Sequence, residues 1–196
     1  MDGQTATVLL GVTGGIAAYK AADLASKLRQ KGVDVVVVMT RNALQFVAPL
    51  TIEYITGNPV ITDLFEKAGG HQCDHVALAD RAAAAVVAPA TANVIGKLAN
   101  GIADDALSTI LLAFDKPVII APAMNERMYQ SPAVQENLRK LRERGVHQVG
   151  PGTGWLACGK TGIGRIAEVP EILAEVLKRL GGEGGRTEER TNIIEH

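Results

Sequence analysis

Cysteine is almost missing from this chain. Cys73 and Cys158 are the only two in 196 residues, too few and too differently placed for a disulfide framework, so each reads as a free thiol. Aromatic residues are equally scarce, at 4% against 47% hydrophobic. Any core must therefore be built from Val, Ile, Leu and Ala, a composition that suits a parallel sheet covered by helices. Neither sign of charge dominates, with 20 Lys and Arg against 21 Asp and Glu, which removes a general pull toward nucleic acid or an anionic membrane. No apolar run approaches the roughly 20 residues of a membrane span, and no basic segment followed by an apolar core opens the chain. The expectation is a soluble, cytoplasmic, single-domain protein, long enough to bury a substantial core.

What is present is an alternation of strand-like and helix-like segments. Thr5 to Val12 reads as a strand, Gly11-Val-Thr-Gly-Gly15 as a tight turn, and Ile16 to Lys31 as a helix on the spacing of Ile16, Leu24 and Leu28, stopped by Gly32. Val33 to Met39 is a second strand, ending in Thr40-Arg41-Asn42. The glycines admit close backbone approach, and amides at the new helix start can hold a phosphate; the same residues also serve as a plain turn. The G-x-G-x-x-G pattern is incomplete and no acidic residue ends the second strand, so a mononucleotide phosphate fits better than a dinucleotide.

Asn42 to Phe46 and Pro49 to Thr56 read as short helical pieces, and 57–73 as a loop. The central junction is Val86 to Asp105. Ala82 to Ala88 fits a strand covered on both faces, expected to end at Pro89, which cannot donate to a ladder. Thr91 and Asn93 then open a helix, either as ordinary caps or as an anion seat. Ala92 to Ala99 and Asp104 to Phe114 read as helices broken near Gly101, and Lys116 to Ala121 as a fourth strand ending in Pro122. Asn125 then lies at the carboxyl edge of the sheet, where it grips a carboxylate or amide or caps a helix. Pro132 to Arg144 is an amphipathic helix, Val146 to Val149 a short fifth strand, and 150–165 a glycine-rich loop, expected to be a mobile flap that carries Trp155 and Cys158. Ile166 to Leu180 is the last helix, followed by a polar tail over 181–196 that reads as disordered. The order predicts the α/β class, a single doubly wound parallel sheet flanked by helices, with right-handed crossovers.

His71, Cys73 and His75 crowd together. A metal site would need a second ligand pair that the chain lacks, so no metal is expected, and a catalytic base is the better use of one histidine. His75 directly precedes an apolar segment and is the one positioned by packing. Phe46 either faces a flat ring or joins the core, and Cys73 reads as filler.

Four motifs in order resemble the homo-oligomeric flavin-containing cysteine decarboxylases over residues 5 to 180: Gly11-Val-Thr-Gly-Gly-Ile the phosphate turn, His75 the essential histidine, Pro89-Ala-Thr-Ala-Asn93 the P-A-S-A-N-T motif, and Pro122-Ala-Met-Asn-Glu-Arg-Met128 the P-x-M-N-x-x-M motif. Ala157-Cys158-Gly159, with Gly162 and Gly164-Arg165, resembles the substrate clamp of the phosphopantothenoylcysteine-processing branch. The chain departs from the pattern at Thr91 (usually Ser), Val94 (usually Thr), Tyr129 (often Trp), and Lys160 and Thr161, where an acidic residue is usual after Cys-Gly.

The resemblance implies a Rossmann-like, flavodoxin-like fold with an FMN-binding domain over 1–180, and homotrimers, often assembled into dodecamers, with the flavin at a subunit interface. It assigns flavin contacts to Thr13, Gly14, Gly15, Thr40, Phe46, Pro89, Ala90, Thr91, Ala92, Asn93 and Val94. Substrate contacts fall to Met124, Asn125, Met128, Ala157, Gly159 and Arg165. A plain thiol side chain offers no electron sink for carbon dioxide loss. The family chemistry creates one by oxidising the substrate to a thioaldehyde, so that decarboxylation leaves an enethiolate. His75 is then the base of the oxidative half, Asn125 holds the carboxylate or its neighbouring amide, and Cys158 protonates the enethiolate before the sulfur-bearing carbon is reduced again. The implied substrate is 4′-phosphopantothenoylcysteine, yielding 4′-phosphopantetheine for coenzyme A. The alternative is the C-terminal cysteine of a ribosomally made peptide, whose processing stops at the enethiol and needs no acid at Cys158. Idle regulatory relatives carry long acidic tails and prenyl-flavin synthases lack the Met-Asn motif and the cysteine clamp, and neither description matches this chain. A free-standing enzyme and a piece of a longer protein fused to a ligase would look the same.

Overall fold

A computed structural model describes residues 5–65, 67–68, 71–72, 75–155, 157 and 159–181; of 67, 68, 71, 72 and 75 the backbone alone is described. In chain order the elements are β1 (Thr7–Val12), a 3-10 turn (Ile16–Ala18) running into α1 (Tyr19–Gln30), β2 (Asp34–Met39), a 3-10 turn (Ala43–Gln45), α2 (Pro49–Thr56), β3 (Lys67–Ala68), β4 (His71–Gln72), α3 (His75–Arg81) and β5 (Ala84–Ala90). There follow α4 (Ala92–Asn100), α5 (Ala106–Leu112), β6 (Val118–Pro122), α6 (Glu126–Tyr129), α7 (Pro132–Glu143), β7 (His147–Gln148), β8 (Gly152–Trp155), β9 (Thr161–Arg165) and α8 (Val169–Gly181).

Five of these strands form one sheet in the order β2-β1-β5-β6-β7, every adjacent pair parallel. This is the doubly wound, flavodoxin-like order. The side chains alternate along each strand and feed two separate cores. Val8, Leu10, Val35, Val37, Val86 and Ile119 pack with Leu24 and Leu28 of α1 and Ile172 and Val176 of α8. Leu9, Val36, Val38, Ala85, Val87 and Ile120 pack with Ile95 of α4, Leu107 and Ile110 of α5, and Leu138 and Leu141 of α7. Gly11 in β1 admits α5 to contact distance, since a Cβ there would stand 2.6 Å from Cδ1 of Leu107.

Four expectations need correction. β5 does not stop at Pro89 but runs to Ala90, opposite Pro122 of β6, and the ladder shifts register between Val87 and Ala90, so that the missing proline N–H falls in the irregular step. The 57–73 segment is not wholly loop. Ile61 bridges Val38 in parallel, because Val60 and Ile61 can bury themselves against the edge strand β2, and further on β3 pairs with β4. The glycine-rich 150–165 run contains an antiparallel ribbon of β8 and β9. Glycine weakens a strand, but here it lets the ribbon lie flat against other backbone. The tail expected over 181–196 begins one residue late, since Gly181 still belongs to α8, and 182–196 lie outside the described residues.

Candidate active site

The sheet order reverses between β1 and β5, and the loops leaving the carboxyl ends of these two strands part there. Open α/β sheets bind ligands at such a point. The structure holds a cavity of about 820 Å³ at this edge, within the range of small-molecule sites.

Its floor is tied by one hydroxyl. Thr13, 2% exposed, donates from Oγ1 to the Pro89 carbonyl at 2.7 Å and accepts from the Thr91 N–H at 3.2 Å. The turn after β1 is thereby fixed to the turn after β5. Thr91 caps α4, its Oγ1 accepting from the Val94 N–H. On the other side Gly14 lies so close to the loop after β2 that a Cβ would meet Asn42 Cβ at 2.3 Å. Gly15 is extended, and no side chain caps the turn that begins at Ile16. Ile16 and Ala17, the first residues of that turn, line the cavity, and no capping hydroxyl competes for their amides.

The far wall comes from the segment after β6 and from the ribbon. Asn125 accepts from the Arg127 N–H at 2.9 Å, so it caps α6 while also lining the cavity. Met124, Met128, Trp155, Ala157 and Arg165 stand near it in the same wall.

Two charge clusters border the space. Glu168 joins Lys20 at 3.0 Å and Arg165 at 2.7 Å, and the Lys20 hydrogen bond is the main reason its carboxyl lies below the ordinary glutamate range. Lys97 joins Asp104 at 2.6 Å and Asp105 at 2.7 Å. Burial opposes the charge on Lys97, yet the two aspartates together hold its ammonium above the usual lysine range. For Asp105 burial likewise opposes ionisation, but Lys97 and Ser108 outweigh it and lower the carboxyl.

Of the residues singled out in the sequence, Thr13, Gly14, Gly15, Thr40, Thr91, Ala92, Asn93 and Val94 are brought together with Met124, Asn125, Met128, Ala157 and Arg165 around one cavity. Pro89 and Ala90 lie behind the floor in β5, and neither Phe46, 47% exposed, nor Gly159 borders the space. His75 opens α3, while its side chain, and the whole of Cys73 and Cys158, lie outside the described residues. Sequence reasoning passed over Lys20, Lys97 and Asp105. Helical spacing carried a signal for the first two, since Lys20 follows Ile16 and Lys97 follows Asn93 by one turn. Asp105 had no local signal except its role as an N-cap.

Residues 1–181 match the protein family described as Flavoprotein. The chain is 48% identical over 187 residues to the coenzyme A biosynthesis bifunctional protein CoaBC of Bacillus subtilis (strain 168), a match covering 95% of this chain and 46% of that protein. It therefore spans about half the length of that relative. It is 39% identical over 179 residues to a probable phosphopantothenoylcysteine decarboxylase of Streptococcus mutans serotype c, covering 90% of this chain and 100% of that one. Among solved structures, a PPC decarboxylase variant complexed with pantothenoylaminoethenethiol superimposes with a TM-score of 0.80 at 30% identity, covering 91% of this chain and 100% of the other. The FMN-dependent cysteine decarboxylase SpaF gives 0.76 at 35% identity, covering 89% and 97%.

Proposed function

We propose, from the premise that this chain belongs to the flavoprotein family, that it binds FMN and decarboxylates a cysteine carboxylate, with 4′-phosphopantothenoylcysteine as substrate. The observation that carries the reading is the cradle at the sheet edge. Gly14 packs on Asn42, leaving an uncapped helix start beside the linked hydroxyls of Thr13 and Thr91. Such a cradle suits the phosphate and ribityl end of a mononucleotide, and Thr40 with Ala92, Asn93 and Val94 extends it. The identities of the two relatives and the printed activity of the solved neighbours support the chemistry.

When bound, FMN supplies a reversible two-electron acceptor for the carbon that bears the substrate sulfur. The rest is work for this chain's own groups. His75 takes the thiol proton, an imidazole being suited to exchange protons near neutrality. Asn125 holds the carboxylate that leaves as carbon dioxide, or the amide beside it. Cys158 returns a proton to the decarboxylated carbon, which leaves a thioaldehyde; the two electrons that bound FMN would have taken up would then go back to the sulfur-bearing carbon, giving a saturated thiol and a redox-neutral cycle. Lys20 and Arg165, both at the cavity wall and held by Glu168, place positive charge where an anionic substrate end can dock.

The rim of the cavity is apolar and open: Ile16 is 65% exposed, Tyr19 62% and Trp155 69%. A second copy covering that rim accounts for it, which supports self-association. Among the described residues no helix is long and apolar enough to cross a membrane.

The test is to purify the protein, record its visible spectrum, and compare wild type with His75→Asn and Cys158→Ser on phosphopantothenoylcysteine and on a peptide ending in cysteine. Both variants keep the yellow flavin spectrum; His75→Asn loses turnover, and Cys158→Ser accumulates an oxidised, decarboxylated product. A wild-type preparation that stays colourless after FMN is offered overturns the cofactor. Loss of carbon dioxide plus two hydrogens from the peptide, with no turnover of phosphopantothenoylcysteine, overturns the substrate in favour of the peptide branch.

A further inference from the structure

The ribbon of β8 and β9 is a two-stranded sheet of its own, separate from the main sheet. It brings Trp155, Gly164 and Arg165 to the cavity, with Ala157 just beyond the end of β8. Beside the Arg165–Glu168–Lys20 ion pairs at the end of β9, it is held by a short seam along Met124-Asn125-Glu126. The Met124 N–H donates to the Gly164 carbonyl at 3.0 Å. Two residues on, the Glu126 carboxylate accepts from the Ile163 N–H at 3.4 Å. A Cβ on Gly162 would fall 2.8 Å from Glu126 Oε2 and 2.9 Å from its Cδ. Gly162 is buried and Glu126 half-buried, and Glu126 itself does not border the cavity. Among the described residues no lysine or arginine pairs with Glu126, and the contacts of its carboxylate are with β9.

We propose that Glu126 is a positioning residue. Its carboxylate accepts the amide of β9 in the space that Gly162 leaves open, and so seats the ribbon against the substrate side of the cavity. This rests on the reading of the cavity as a flavin and substrate site. Glu126 touches no reacting atom and acts only through the strand it holds. The seat needs an acceptor oxygen and not a charge, because its partner is a neutral backbone N–H. It also needs a residue without Cβ opposite it, because a methyl group at 162 occupies the place of the carboxylate. Glu126 and Gly162 are therefore two halves of one contact, and damage to either is the same damage.

The experiment uses Trp155, the chain's single tryptophan, as a reporter on β8. Acrylamide quenching of its fluorescence is measured on the full chain, together with kcat, KM and the thermal midpoint, for Glu126→Ala, Glu126→Gln, Gly162→Ala and the Glu126→Ala/Gly162→Ala double variant. Glu126→Ala raises KM about tenfold with kcat within about threefold. It also changes Trp155 quenching, while the midpoint stays near wild type. Glu126→Gln restores both readouts, Gly162→Ala reproduces Glu126→Ala, and the double variant is no worse than either single one. Unchanged Trp155 quenching in Glu126→Ala overturns the proposal, as does a Gln variant as impaired as the Ala variant, or additive effects in the double. Failure of the enzymatic reading shows separately, as wild-type protein without turnover, and leaves the quenching comparison standing.

Discussion

Met124 and Gly164 meet backbone to backbone. The Met124 N–H donates to the Gly164 carbonyl at 3.0 Å, and a Cβ on Gly164 would stand 2.2 Å from the Met124 carbonyl oxygen. The two residues lie 40 positions apart in the chain, one after β6 and the other in β9, and their contact joins the ribbon to the edge of the sheet. Gly164 also has φ +127°, where an L side chain is strained whatever the space around it.

Gly164→Ala should therefore release the ribbon without unfolding the sheet. A main-chain oxygen cannot swing aside as a side chain can, so the clash is relieved only by moving β9. The expected result is faster limited proteolysis within 150–165 and a large loss of substrate turnover, with far-UV circular dichroism close to wild type. A variant as resistant to protease as the wild type would show that the ribbon is held elsewhere.

Thr13 is buried and its hydroxyl serves the turns after both β1 and β5. Thr13→Val keeps the shape and removes the hydroxyl, leaving the Pro89 carbonyl and the Thr91 N–H without their partner. The expected loss is about 1–3 kcal/mol of stability in urea unfolding, the cost of leaving buried polar groups unsatisfied. Weaker FMN retention should accompany it, and Thr13→Ser should recover most of both. Equal unfolding midpoints for the valine variant and wild type would contradict the role of this hydroxyl.

His147 in β7 is pushed below the usual imidazole range, chiefly by burial and then by Arg179, with Lys178 acting in the same sense and Glu175 against it. The unfolded chain, with an imidazole near about 6.5, binds the proton more readily than the folded one. This contribution to stability is thus fully present above about pH 6.5, is lost as the pH falls through the folded value, and then levels off. Replacing His147 by Gln should flatten that part of the stability curve below about pH 6.5, as measured by denaturant unfolding across the range. A curve unchanged in slope would place the acid sensitivity in other groups.

Much of the architecture was legible in the chain itself. The apolar runs ending at Val12, Met39 and Ala121 are strands, Gly32, Gly57 and Gly101 stop helices with positive φ, and α2 spans the same Pro49 to Thr56 read from its proline start. These features are local, since each depends on the period of one segment or the freedom of one residue. The gathering of Thr13, Thr91 and Asn125 at one edge was legible as well, because parallel strands joined by crossovers all send their carboxyl ends the same way.

Other features had no expression within a single segment. Pro89 reads as a stop, yet Pro122 in the neighbouring strand carries the ladder past it to Ala90. The glycines of 150–165 read as a loop, yet four of them lie in a ribbon, Gly164 against the Met124 backbone and Gly162 against the Glu126 carboxylate. Lys20 and Glu168, 148 residues apart, share an ion pair that no spacing announces.

Composition and periodicity alone settled the α/β class, the parallel sheet and the end of it where the connecting turns gather, because hydrophobic alternation and helix stops are properties of short stretches of chain. Only the folded molecule chose which distant residues meet: Met124 with Gly164, Glu126 with Ile163, Lys20 with Glu168. Such pairs depend on the order of the strands and on how closely one backbone can approach another, and both are set only when the whole sheet has closed.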